Sequence, residues 1–313
     1  MGEFHEDEIP CLNFDLEEEG WKGMVSKVRD ACETYGCLFV MYDITPKDLH
    51  EEMLVALKNL FDLPEETKQK HISSKPYSSY QGKCPIVPLS ESFGLYDAAQ
   101  LPDATQAFTN LMWPQGNPVL CETLRSMRLK MLELNFLILK MILESFGVEK
   151  QYDTLVENMT SHSRLMKYRV PPPTPSNNET VTDIGLLPHT DKSSLSILLQ
   201  NEVQGLQVLS KQGTWIQVKV PEGCFVAIVG DVLKAWSNGR LQAARHRVVM
   251  SGEKERYSCG LFTLPKEETV IEVPNELVDK DHPLLYKPFN YGEYFSYFVS
   301  NTRDDALEIF ASA

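Results

Sequence analysis

Three side chains in the sequence could share a metal ion. His189 and Asp191 stand two residues apart in "LPHTDKSSLSILLQ", and His246 lies 57 residues beyond His189 in "ARHRVVM". Residues i and i+2 of a pleated strand share a face. The segment therefore reads as one strand with an imidazole and a carboxylate pointing the same way at its mouth. Two histidines and one carboxylate can occupy one face of an octahedral metal and leave three adjacent positions open, an arrangement suited to Fe(II) and O2 chemistry. A blander reading has Asp191 capping the turn and both histidines hydrogen-bonded for structure, because an HxD pair is a weak motif by itself.

A second pair follows. Arg256 lies ten residues after His246, in "ERYSCGLF", with Ser258 two residues on and so on the same strand face. Arginine offers a planar fork that grips a carboxylate bidentately, and a nearby hydroxyl can add a bond. Metal at one level and this pair deeper would hold a dicarboxylate by both ends. The alternative is a surface ion pair of Arg256 with Glu253 or Glu255, which would be weak.

These residues sit in the part of the chain with two-residue periodicity. Strand candidates lie around "SRLMKYRV", "LSILLQ", "GLQVLS", "TWIQVKV", "CFVAIVGD", "HRVVM" and "YSCGLFTLP", separated by Gly and Pro at short spacing. That pattern predicts a β-sandwich or barrel. Helices flank it. "WKGMVSKVRDACETYG" has helical spacing with Gly36 at C′, and "TPKDLHEEMLVALKNLFDLP" opens with Thr45 as N-cap and Pro46 at N1. "PVLCETLRSMRLKMLELNFLILKMILESFG" carries an apolar stripe and Gly147 at its end, and "YGEYFSYFVS" and "DDALEIFA" are helical candidates. Residues 73–118 show no clear period and read as loops, as does "PPPTPSNNET". Gly230 and Asp231 read as a turn after a strand.

Composition limits the function. The chain has 313 residues, a formal net charge of −14 and 42% hydrophobic residues, an ordinary globular make-up whose acidity disfavours nucleic acid. Seven cysteines without a CxxC pair support neither a disulfide framework nor a zinc site. The acidic start "MGEFHEDEIP" is no signal peptide, and no apolar run reaches membrane-spanning length. A monomer in a reducing cytoplasm is the expectation, with no membrane and no nucleic-acid partner.

The run from "GLLPHTDKSSLSILLQ" through "ARHRVVM" to "RYSCGLFTLP", with "EIPCLNFD" and "ACETYGCLFV" upstream and "LLYKPFNYGEYF" downstream, resembles the plant 2-oxoglutarate- and Fe(II)-dependent dioxygenases over nearly the whole chain. The reading "YGCLFVMYD", where many relatives have a WGFF pattern, is similar to the branch of glucosinolate side-chain dioxygenases, with auxin-oxidising dioxygenases as another short-chain group. The resemblance implies a mainly β fold: a double-stranded β-helix, or jelly roll, with a helical N-terminal region and a C-terminal helix. It implies one catalytic domain over 1–313. Its parts are an N-terminal region at 1–120, a long supporting helix at 121–150, a jelly-roll core at 160–265 and a C-terminal helical segment at 283–313.

His189, Asp191 and His246 match the family's iron ligands, and Arg256 and Ser258 match the pair that binds the far carboxylate of 2-oxoglutarate. Tyr168 falls where a tyrosine usually adds a bond to that carboxylate, although the customary Asn-Tyr-Tyr-Pro reads Met-Lys-Tyr-Arg here. The implied cofactors are Fe(II), 2-oxoglutarate as cosubstrate and O2, with ascorbate as a supporting reductant. The implied reaction couples decarboxylation of 2-oxoglutarate to succinate and CO2 with hydroxylation, desaturation or demethylation of a small metabolite of plant specialised or hormone metabolism. Tyr80, Phe93, Tyr96, Met112, Trp113, Phe262, Phe295 and Phe298 are candidates for the substrate pocket, each with loop packing as the alternative. Two competing functions stay open at this point: an Fe(II) oxidase of the same fold that does not use 2-oxoglutarate, and a small-molecule binding module without catalysis.

Overall fold

The computed structural model describes residues 9–14, 20–42, 47–97, 104–172 and 183–313. Its strands, in chain order, are β1 (Cys11–Asn13), β2 (Cys37–Met41), β3 (Tyr80–Gln81), β4 (Ser90–Asp97), β5 (Met159–Tyr168), β6 (Ile184–His189) and β7 (Leu195–Gln200). There follow β8 (Leu206–Leu209), β9 (Trp215–Gln217), β10 (Phe225–Val229), β11 (His246–Val249), β12 (Arg256–Pro265), β13 (Val270–Ile271) and β14 (Phe289–Asn290). An eight-stranded sheet runs β1-β2-β10-β7-β12-β5-β4-β3, and a four-stranded sheet runs β6-β11-β8-β9.

The two sheets form the jelly roll. Val226 and Ile228 of the large sheet pack with Leu206 and Val208 of the small one. On its other face the large sheet meets the helices. Phe225, Ala227 and Val229 share a core with Leu134, Ile138 and Met141 of the Pro118–Ser145 helix. Strand β10 is covered on both sides, which explains why "FVAIV" is uniformly apolar rather than alternating. The Trp21–Thr34 and Lys47–Phe61 helices complete this layer. Gly36 takes φ +68°, and a Cβ there would lie 2.2 Å from the carbonyl oxygen of Gln242, so the helix-to-β2 corner requires glycine. The helices over "YGEYFSYFVS" and "DDALEIFA" are present as Tyr291–Asn301 and Ala306–Ala311.

Two expectations change. Residues 73–118 are not all loop, because they contain β3, β4 and the Ala104–Met112 helix, with β4 paired to β5 over eight positions from Ser90↔Tyr168 to Asp97↔Ser161. The single strand at 187–200 is two strands. β6 ends at His189 in the small sheet, and β7 starts at Leu195 in the large one. Thr45, Pro46 and most of "PPPTPSNNET" lie outside the described residues.

Candidate active site

The crossing from β6 to β7 builds the metal-ligand cluster. His189 closes β6 and Asp191 sits in the turn, so the two converge through the passage between sheets rather than along one pleat. His246 opens β11 and pairs in register with His189, which brings the imidazole centroids to 4.3 Å. Asp191 Oδ1 lies 3.6 Å from His189 Nε2 and 3.9 Å from His246 Nε2. One ligand atom from each residue falls within 4.8 Å of the others, and among the described residues this is the sole such group of His, Cys, Asp and Glu side chains.

The remaining atoms of these side chains are already engaged. His189 Nδ1 donates to the Leu187 carbonyl at 2.8 Å, and His246 Nδ1 donates to the Ala244 carbonyl at 2.9 Å. Each imidazole is thus set in the tautomer whose bare Nε2 faces the common centre. Asp191 Oδ2 accepts from Ser196 Oγ at 2.6 Å, leaving Oδ1 for that centre. Burial lowers the pKa of His246 to about 4, with the second histidine adding to the effect, so this ligand is neutral at physiological pH. Burial alone would raise Asp191, but the two imidazoles and Ser196 outweigh it and hold the carboxyl below its ordinary range. Two bare nitrogens and one ionised oxygen are a donor set that fits Fe(II).

A buried ion pair anchors this turn. Lys192 Nζ contacts Asp231 Oδ2 at 2.6 Å, and Tyr294 donates to the same oxygen at 2.7 Å. The Asp231 N–H donates to the Asp191 carbonyl at 2.8 Å, and Tyr291 donates its hydroxyl to the Lys192 carbonyl at 3.2 Å. A Cβ at Gly230 would lie 2.1 Å from the Ser193 oxygen, so glycine is what lets β10 end against the turn. The sequence reading took Asp231 as a turn residue only. Its ion pair with Lys192, 39 positions away, leaves no local signature.

The second end of the site is cationic. Arg256 is 2% exposed and Ser258 1%, and Arg256 Nη1 donates to Ser258 Oγ at 3.2 Å. Arg256 Nη2 donates to Gln200 Oε1 at 2.9 Å, while Nε has no hydrogen-bond partner. Tyr168 faces Arg256 in the β5–β12 register, with its ring centroid 5.1 Å from the guanidinium carbon. Neither surface carboxylate pairs with Arg256. Glu255 is bound by Lys167 and Tyr257 instead, because Arg256 turns inward where Glu255 turns outward. A buried guanidinium with only neutral partners has room for an anion.

A cavity of about 950 Å3 joins both ends. Tyr96, Phe262, Phe295 and Phe298 line it together with His189, Asp191 and His246 and with Arg256, Ser258 and Tyr168. Four other expected pocket residues are elsewhere. Phe93, fully buried, packs among Phe61, Tyr80 and Phe108 under the N-terminal helices, and Met112 and Trp113 join the same core. Tyr80 donates its hydroxyl to Glu91, within a network that also holds Lys68 and Arg169. The formation of β4 turns these side chains into the interior of the N-terminal layer. Cavity residues that the sequence reading missed include His162, Arg164 and Tyr77.

Residues 160–265 match the 2OG-Fe(II) oxygenase superfamily, and residues 9–115 match the family described as non-haem dioxygenase in morphine synthesis N-terminal. The chain is 39% identical to the probable 2-oxoglutarate-dependent dioxygenase AOP1 of Arabidopsis thaliana, across 97% of this chain and 96% of that protein. The crystal structure of the rice dioxygenase for auxin oxidation superposes with a TM-score of 0.82 at 32% identity, covering 97% of this chain and all of that one. JOX2 in complex with 2OG, Fe and JA shares the fold, with a TM-score of 0.80 at 24% identity, covering 98% of this chain and 90% of that one. The chain belongs to the 2OG-Fe(II) oxygenase family and is a 2-oxoglutarate-dependent dioxygenase.

Proposed function

We propose that His189, Asp191 and His246 would hold Fe(II), that Arg256, Ser258 and Tyr168 bind the far carboxylate of 2-oxoglutarate, and that the cavity between them receives a small organic substrate. The observation that carries this reading is the pairing of two ends in one cavity: a cluster of bare nitrogen and oxygen donors, and a buried arginine with no carboxylate partner. When bound, iron with 2-oxoglutarate and O2 supplies oxidising power, and 2-oxoglutarate leaves as succinate and CO2.

This chain's own residues do the rest. Arg256 and Ser258 fix one end of the cosubstrate, and the metal-ligand turn fixes the other, so that the reacting atoms meet in one geometry. Tyr96, Phe262, Phe295 and Phe298 give the substrate an apolar wall and limit water near the reacting carbon. A relative whose name places it in auxin oxidation, together with the glucosinolate-side resemblance, directs the substrate search to plant hormone and specialised metabolites. Hydroxylation, desaturation and demethylation all fit this chemistry.

We take residues 1–313 as one catalytic domain that acts as a monomer, and seven free thiols support placing it in a reducing compartment such as the cytoplasm. Among the described residues no helix is long and apolar enough to cross a membrane.

The test is succinate release, scored across a metabolite panel and dependent on both Fe(II) and 2-oxoglutarate. His189→Ala should abolish it and weaken Co(II) binding, read by the visible spectrum of the cobalt. Turnover and metal binding left intact in that variant would refute the ligand assignment. O2 consumption that persists without 2-oxoglutarate would favour an oxidase of the same fold.

A further inference from the structure

Strand β5 turns Thr160, His162, Arg164, Met166 and Tyr168 towards the cavity, as a two-residue period requires. Tyr168 belongs to the cosubstrate end. Arg164 lies four residues away, or about 13 Å along the strand at roughly 3.3 Å per residue. It is therefore a separate cation from Arg256, with a different part of the cavity in front of it.

Arg164 has no ion pair among the described residues. Its Nη2 donates to Ser92 Oγ at 2.8 Å, its Nε has no partner, and its guanidinium carbon lies 6.0 Å from the Tyr77 ring centroid. Burial pushes this guanidinium down from its ordinary value, opposed by Tyr168, Tyr77 and Asp191. Asp191 is engaged in the metal-ligand cluster. The other acids that line the cavity are Glu267, which Lys75 binds, and Glu268 and Glu293, and none of the three forms an ion pair with Arg164. A charge kept on a cavity wall with a single neutral hydrogen bond is costly unless an anion joins it.

His162 is the second observation. It is 6% exposed, lines the same cavity, and its Nε2 has no hydrogen-bond partner. Its one hydrogen bond is to the backbone of Tyr77, so Nδ1 makes it and Nε2 is left as an acceptor. Burial, with Arg164 next, lowers its pKa to about 3, so the ring is neutral. Between these two groups the wall is apolar. Gly260 faces Arg164 across the β5–β12 register and adds no side chain, while Phe262 faces His162. A Cβ at Gly260 would lie 2.6 Å from Leu198 Cδ2 and 3.0 Å from Phe262 Cε2, so these two apolar side chains cover the glycine. Tyr77 holds φ +60° beside Arg164, a backbone strain of the kind kept at ligand sites.

We propose that the substrate of this enzyme is an organic carboxylic acid, with Arg164 binding its carboxylate and His162 Nε2 accepting a hydrogen bond from an N–H or O–H of the same molecule. Arg164 and His162 are then specificity-determining residues, and an apolar body lies between them against Phe262. This inference rests on the cavity being the substrate site of the proposed function.

The experiment titrates the full chain, loaded with Mn(II) and saturating 2-oxoglutarate, with phenylacetate, 1-naphthylacetate and cinnamate and with their amides. Saturation keeps Arg256 occupied. At least one acid should bind about tenfold or more tightly than its amide, the size expected of a hydrogen-bonded charge. Arg164→Gln, which keeps a donor for Ser92 and removes the charge, should erase that ratio, and Arg164→Lys should keep part of it. Thermal melting checks that each variant is folded, and Arg164→Lys decides the matter if the glutamine variant is not. No acid outbinding its amide in the wild type, or a ratio unchanged in Arg164→Gln, would overturn the proposal. Binding of 2-oxoglutarate by the wild type is read first. Its failure would overturn the cosubstrate reading, and the acid–amide ratio measured with Mn(II) alone would still decide the role of Arg164.

Discussion

Replacing Asp231 by alanine tests whether the metal-ligand turn depends on its buried anchor. The Lys192 and Asp231 side chains are 7% and 5% exposed, so solvent screens their pairing little. Without Asp231, the Lys192 ammonium keeps the Thr190 hydroxyl at 2.8 Å and the Phe298 ring at 4.7 Å, both neutral. Tyr294, itself buried, loses the acceptor of its hydroxyl. Breaking a buried pair from one side costs about 3–5 kcal/mol, because the surviving charge is left uncompensated. Replacing both partners by apolar residues of similar size is often close to neutral. Urea unfolding of the metal-free protein should therefore show Asp231→Ala destabilised by about 3–5 kcal/mol, and Lys192→Met/Asp231→Leu recovering most of that loss. Co(II) affinity should fall in the single variant as the turn loosens. The reasoning is refuted if Asp231→Ala lies within about 1 kcal/mol of wild type, or if the double variant is no more stable than the single one.

Ser196→Ala removes the hydroxyl that orients Asp191, and should weaken Co(II) binding about 10–100-fold while 2-oxoglutarate still docks at Arg256. Arg256→Gln should raise the 2-oxoglutarate concentration needed for half-maximal succinate release by about tenfold or more, and an unchanged requirement would remove Arg256 from that role. The metal-free protein should lose stability on acidification. His246 and His162 have folded pKa values of about 4 and about 3, below the ordinary histidine value of about 6.5. The unfolded chain therefore binds more protons as pH falls below about 6.5, and stability drops from there down through about 4 with a slope approaching two protons. His162→Gln should reduce that slope by about one proton in urea titrations at stepped pH, and an unaltered slope would refute the burial argument.

The legible parts of this sequence are those where chemistry and periodicity coincide. The apolar runs of β7, β10 and β12 and the stripe of the Pro118–Ser145 helix follow from burial alone. The Arg256–Ser258 pair was readable because two-residue spacing and residue type pointed the same way, whereas His189 and Asp191 were found by residue type and meet through the turn after β6 rather than along one strand. Strand β6 was legible only at its end, merged with β7, since Pro188 interrupts the pattern before it. The small sheet tolerates it because β6 is an edge strand. Strand β4 was hidden for another reason. Its buried positions include Glu91 and Ser92, which break the apolar alternation and are satisfied by Lys68, Arg169 and Arg164 from distant parts of the chain. Missing β4 led to placing Phe93 and Tyr80 at the substrate. Arg164 and His162 were passed over because a charged or titratable residue on a strand looks like a solvated face until the cavity in front of it is known.

The Tyr291–Asn301 helix does two jobs with adjacent side chains. Tyr291 and Tyr294 reach Lys192 and Asp231, while Phe295 and Phe298 reach the cavity. The tyrosines fix where this helix lies, Phe295 contributes shape to the cavity, and Phe298 also covers the Lys192 ammonium. Evolution, or an engineer, could then exchange Phe295 to admit a new substrate without redesigning the oxidising centre. Such a separation gives a chemically hazardous reaction a scaffold on which selectivity can drift while the hazardous step stays contained.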